Sequence, residues 1–190
     1  MDPLRPSAIA ALLLPLIACA PANVATRPAA DAPSAAPAKQ PARPLDVGDK
    51  APPFVVEAAD GSTIDSADVL GKRPLVLVFF TTWCPWCERA MPLVREGLVG
   101  APPDALVVAV SLDVDTWPDV PSYLARHRLT IPVVRAERAR EFTMAYDLGG
   151  RIPHLVVVGR DGVVVDVQAG FDPDHADRLR AALELAGRPR

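Results

Sequence analysis

Cys84-Pro85-Trp86-Cys87 is the stretch of this chain with the most chemistry to offer. Two cysteines three positions apart at the start of a helix lie on one face about one turn from each other, close enough to form a disulfide with little backbone movement. Their positions make them unequal. Cys84 stands at the helix N-terminus, where unpaired N–H groups and the helix dipole favour a thiolate, whereas Cys87 lies one turn inside and partly covered. Cys84 is the expected nucleophile and Cys87 the expected resolving thiol. The reaction such a pair performs is thiol–disulfide exchange, with no cofactor beyond the redox-active Cys84–Cys87 disulfide and no resident metal.

A site of this kind needs a strand to deliver it and a helix to hold it. Leu75 to Phe80 is a continuous apolar run rich in Val and Phe, the pattern of a central strand covered on both faces, and it leads into Trp83 and the cysteines. A helix follows to about Val99, interrupted by Pro92, which removes a ladder hydrogen bond and is expected to kink it. Upstream, Phe54 to Ala58 and Ser62 to Ile64 read as two short strands around Asp60-Gly61. Downstream, Leu106 to Leu112 is a second buried strand. Thr116-Trp117-Pro118-Asp119 looks like a capped helix start, for a helix running to about His127. Ile131 to Val134 is a strand, and Ala136 to Tyr146 a helix stopped by Gly149-Gly150. Leu155 to Val158 pairs with Val163 to Val167 around Asp161-Gly162, and Asp174 to Ala186 closes the chain as a helix. Strands alternating with helices, then a hairpin, predict an α/β architecture of three layers, a mixed central sheet with helices on both faces.

The front of the chain has a different character. Of the 22 prolines, 11 fall in residues 1–53, and residues 1–44 carry a net charge of +2, which leaves −5 for residues 45–190. Ala8 to Ala18 is an apolar stretch of 11 residues, well short of the roughly 20 a spanning helix needs but of the length of a signal-peptide core. From Ala20 to Pro44, 16 of 25 residues are Ala or Pro, which cannot build a core and favours an extended tether reaching on the order of 80 Å at most. Three divisions result: a signal segment over residues 1–18, a linker over 19–44 and a folded domain over 45–190.

Two resemblances add to this reading. Leu16-Ile17-Ala18-Cys19 resembles the bacterial lipoprotein signal, which implies cleavage before Cys19, acylation there and a periplasm-facing, membrane-anchored protein of the cell envelope. Val47 to Ala186 resembles the thioredoxin superfamily. The opening hairpin, Leu70-Gly71-Lys72 before the first core strand, and Trp83-Cys84-x-x-Cys87 look like its membrane-tethered TlpA/ResA-like branch. Ile152-Pro153 stands where that superfamily carries a cis-proline facing the disulfide, and Pro92 matches its active-site helix. The resemblance implies that the Ile152 backbone pairs with an extended client segment, that Pro153 keeps metals off the two sulfurs, and that protein disulfides are the clients. It further suggests a membrane dithiol carrier as electron donor, and cytochrome c maturation as the setting.

The family's buried acids are missing. Where its members place an acid six residues before the first cysteine this chain has Val78, and where they often place Glu three residues after the second it has Ala90. Glu88, Asp113, Asp115 or water is left to accept the Cys87 proton, although acids in the place of Asp113 and Asp115 commonly cap a following helix. Trp86 is either an exposed flat contact for a protein client or packed on the domain surface. Trp83 is expected beneath the disulfide. His154, next to Pro153, either approaches the sulfurs or is turned elsewhere by strand alternation, while His127 and His175 are expected on helix surfaces.

Composition narrows the classes. With 20 Lys+Arg against 23 Asp+Glu there is no basic surplus for nucleic acid, and three cysteines are too few for a disulfide-stapled scaffold. A monomer is expected. Two alternatives to a disulfide oxidoreductase are a thiol peroxidase, for which Thr81 stands three residues before Cys84, and a copper metallochaperone using Cys84, Cys87 and His154.

Overall fold

The computed structural model describes residues 43–146 and 150–188. The signal segment, Cys19 and the linker up to residue 42 lie outside the described residues, as does Gly149. Three β-branched and aromatic runs stack as parallel neighbours: β3 (Leu75–Phe80), β4 (Leu106–Ser111) and β5 (Val133–Arg135). On the other side of β3, β6 (His154–Val158) and β7 (Val164–Ala169) run antiparallel, giving the order β5-β4-β3-β6-β7. Every residue of β3 and β6 is buried, as expected of strands covered on both faces.

A separate hairpin of β1 (Val55–Glu57) and β2 (Thr63–Asp65) opens the domain. Its turn is set by Gly61, at φ +83, and by Asp60, whose carboxylate accepts from the Ser62 N–H and hydroxyl. The stretch from Gly48 through β1 to Ala59 is anchored at both edges of the five-stranded sheet, at β7 and at β5. The Gly48 N–H bonds to Val164 at one side (2.9 Å), and the Ala59 N–H bonds to Val133 at the other (2.7 Å).

The helices are α1 (Pro85–Gly97), α2 (Val120–Arg126), α3 (Arg140–Ala145) and α4 (His175–Ala186). Alternate residues of β3 feed two cores. Leu75, Leu77 and Phe79 pack with the hairpin and with Phe142 and Ala145 of α3, while Val76, Val78 and Phe80 pack with α1, α2 and α4. The three-layer mixed α/β architecture is therefore present with helices on both faces, three on one and a single short one beside the hairpin on the other.

Two helices are shorter than their sequence suggests. Trp117–Asp119 forms a single 3-10 turn before α2, and Thr116 makes no cap hydrogen bond because its hydroxyl is committed to Asp113. Ala136–Arg138 forms another 3-10 turn before α3. Pro92 lies inside one continuous α1, where it removes the N–H that would pair with the Glu88 carbonyl. Gly97 brings α1 against α4: a Cβ there would lie 2.8 Å from the Ala176 carbonyl oxygen and 2.9 Å from Leu179 Cβ.

Candidate active site

β3 ends at Phe80, and the chain leaves the sheet edge through Thr81, Thr82 and Trp83 before Cys84 caps α1. Cys84 has extended backbone angles (φ −81, ψ 116), and its Sγ accepts from the Cys87 N–H at 3.4 Å, with Pro85 in the first helical position. Both cysteines are free thiols. Their access differs: Cys84 retains 6% of its surface and Cys87 none. Burial pushes the Cys87 thiol far up, a backbone hydrogen bond from Thr81 partly opposes this, and the neighbouring Cys84 and Asp113 add to the rise.

Cys84 lies in a groove of about 530 Å³, lined also by Trp83, Trp86, Arg151, Ile152 and Phe171. The Ile152–Pro153 peptide is cis, and the Cys84 thiol is 3.9 Å from the Ile152 carbonyl oxygen. Trp86 is half exposed, stacks on Phe171 (5.7 Å between centroids, 27°) and carries the Arg89 guanidinium on its ring. The open alternative for Trp86 is thus resolved as an exposed wall of the groove that is also backed by a second ring. Trp83 is 66% exposed, not packed beneath the sulfurs, because the chain has already passed the sheet edge and no described helix covers it.

Asp113 is the buried acid nearest this machinery. It is 1% exposed, and its carboxylate accepts from the Thr82 N–H (3.1 Å to each oxygen), the Thr82 hydroxyl (2.7 Å), the Ser111 hydroxyl (2.8 Å) and the Thr116 hydroxyl. Burial alone would raise its pKa, but these donors outweigh it and hold the carboxyl below its usual range. It clamps the Thr81-Thr82 approach to Cys84 across 31 residues of sequence and does not cap a helix. Asp115 is exposed. Glu88 is engaged by Arg126 (3.2 Å) and His127 (3.1 Å); burial raises its pKa, and these two partners more than compensate. Val78 and Ala90 are both buried.

Of the three histidines, His154 takes the second of its two open alternatives, and His127 and His175 depart from expectation. His154 pairs in register with Phe79, and its ring meets the Phe79 ring edge-on at 5.8 Å. Phe79 belongs to the core on the face opposite the cysteines, so strand alternation carries His154 away from them and does not assemble it with the two sulfurs. Among the described residues, no group of three or more His, Cys, Asp or Glu side chains is placed to hold a metal ion. His127 is largely buried against Tyr123, and His175 is completely buried, so neither is the surface residue its helix position suggested. Phe171 and Thr82 were not singled out by the sequence. The only local signal for Phe171 is an aromatic residue placed between Gly170 and Asp172 in a polar loop.

Residues 46–183 match the redoxin family model. The thiol-disulfide oxidoreductase ResA of Bacillus cereus is 31% identical over 123 residues, covering 64% of this chain and 69% of that protein. The crystal structure of a thiol:disulfide interchange protein of the thioredoxin family from Chlorobium tepidum superposes with a TM-score of 0.58 at 27% identity, over 75% of this chain and 98% of the other. A thio-disulfide isomerase from Thermus thermophilus gives 0.60 at 25% identity, over 77% and 100%. The chain belongs to the redoxin family and is a thiol–disulfide oxidoreductase of thioredoxin-like fold.

Proposed function

We propose that this protein is an exported, lipid-anchored reductant of disulfides in cell-envelope proteins, acting through Cys84 and Cys87. The observation that carries the dithiol assignment is the asymmetry of the pair: Cys84 faces the groove at the helix start, and Cys87 is sealed one turn behind it. The Cys84 thiolate attacks a client disulfide, forming a Cys84–client bond and expelling one client thiolate. Cys87 then loses its proton and attacks Cys84 Sγ, closing the Cys84–Cys87 disulfide and releasing the second client thiolate. The client gains two electrons and, after protonation, two protons.

Deprotonating Cys87 is the costly part, since burial holds it as a thiol. Asp113 is saturated with donors and Glu88 is paired, so water reaching the site as Cys84 moves is the acceptor this arrangement favours. In this reading Ile152 and Pro153 present backbone to an extended client segment, and Trp86 forms the wall beside it. The Leu16–Cys19 motif supports acylation at Cys19 and a tether to the membrane. The resemblance to the TlpA/ResA-like branch supports a membrane dithiol carrier as donor and cytochrome c maturation as the setting.

The test is a pair of variants with a protein disulfide as substrate. Cys84→Ser loses exchange, and Cys87→Ser accumulates a mixed disulfide through Cys84. Preferential alkylation of Cys87 in the reduced protein would reverse the assignment. The Cys84/Cys87 potential in glutathione buffers checks direction, and a pair more oxidising than glutathione would overturn the reductant reading.

A further inference from the structure

His175 is the first residue of α4 and is fully buried, three residues after Asp172 in the loop that walls the groove. Its Nε2 lies 3.2 Å from the backbone nitrogen of Asp172, and its Nδ1 faces the side-chain oxygen of Gln168 on β7. A backbone N–H only donates, so Nε2 must accept, and the proton of the ring must sit on Nδ1 facing Gln168. The hydrogen-bonding partners therefore define a neutral imidazole of one tautomer.

What this ring holds is the Gly170-Phe171-Asp172 loop. Phe171 meets His175 edge-on at 6.0 Å and stacks on Trp86 at 5.7 Å, while the Gly170 N–H bonds to the Pro153 carbonyl at 2.8 Å. One short loop thus joins a buried imidazole to both walls of the groove beside Cys84. A charged ring would place an Nε2–H against the Asp172 N–H, two donors face to face, and remove the bond that holds the loop.

We propose that His175 is a positioning residue for client recognition: its neutral ring fixes Phe171 behind Trp86, and its protonation releases that wall and weakens client binding. This rests on the reading of the groove as the client site. The charged groups around the ring are Asp172 from the loop, Asp166 from β7 and Arg178 from the next turn of α4. Burial lowers the pKa of His175 and Arg178 adds to this, while the Gly170 carbonyl, Asp172 and Asp166 favour the cation. Arg178 binds both carboxylates, at 3.1 Å to Asp166 and 3.3 Å to Asp172, and so blunts their pull on the ring.

The experiment compares kcat/KM for a disulfide-bonded protein client with that for hydroxyethyl disulfide, which is too small to need the wall. The ratio of the two cancels the pH dependence of the thiols themselves. Because burial holds the ring's pKa below its ordinary value of 6.5, the ratio should stay level from about pH 7.5 down to that value and then fall by about tenfold, through KM rather than kcat, as the pH drops further. His175→Gln presents an acceptor and a donor without titrating, and should keep the ratio high and flat across that range. Nitrogen-resolved NMR of the wild-type ring gives a second readout independent of any variant, and should show the Nδ1–H tautomer at neutral pH. A constant ratio in wild type with both substrates reduced, or an Nε2–H tautomer, overturns the inference alone. Failure to reduce either substrate removes the proposed function and this inference with it.

Discussion

Asp113→Asn separates a structural clamp from a proton acceptor, and the two roles predict opposite changes in rate. The wild-type carboxylate takes four donors, of which the Ser111 hydroxyl is fully buried and the Thr82 and Thr116 groups are half-buried. Hydrogen bonds to a charged acceptor contribute about 1.5–3 kcal/mol each when buried. An amide keeps one oxygen, and the half-exposed hydroxyls find water, so the net loss at neutral pH should be about 2–3 kcal/mol. The sign of the pH dependence follows from the depressed pKa in the folded state. The contribution of the carboxylate is complete above its unfolded value of about 3.9 and is lost as the pH falls through the folded value. Urea melts should therefore show a gap between wild type and Asp113→Asn at about pH 7 that narrows below about pH 4. The expected effect on resolution has the other direction. The negative charge of Asp113 is one of the factors that hold the Cys87 proton, after burial and the neighbouring Cys84, so its removal should move the pH midpoint of mixed-disulfide resolution downward without slowing it at neutral pH. Stopped-flow release of client from the Cys84 adduct reads this rate. A gap that stays constant with pH would show that the donors do not hold the carboxyl in its charged form, and resolution that slows more than about tenfold in a folded variant would show that Asp113 is the proton acceptor.

Gly97→Ala should destabilise the domain by about 1–3 kcal/mol in a denaturant melt, because the new methyl group meets the Ala176 carbonyl at 2.8 Å; the gain in helix propensity offsets only part of this. Its exchange rate per folded molecule should be unchanged, since the contact joins α1 to α4 at the end of the helix away from Cys84. Cys19→Ser should yield protein without an acyl group that partitions away from membranes; mass spectrometry showing a mature N-terminus elsewhere and no lipid would refute the tether.

Local pattern in the sequence determined the elements that make this site. The apolar run of β3, the Asp60-Gly61 and Asp161-Gly162 turns, and the Pro85 that follows the helix cap each act within a few residues, where φ/ψ preference and period are set by the residues themselves. The order of the two cysteines was legible for the same reason: which of them caps a helix depends only on where the helix starts. Tertiary structure alone decided which polar groups serve that pair. Asp113 reaches Thr82 across 31 residues because parallel β3 and β4 end side by side, and no window of sequence contains both. His154 is turned from the sulfurs by one step of register against Phe79, and His175 is buried because Gln168 faces the same interior from β7. Trp83 stands exposed because the sheet ends beneath it. Burial and partnership of a polar side chain depend on what the rest of the chain brings to it, and that closure over long sequence separations is the property the tertiary fold supplies.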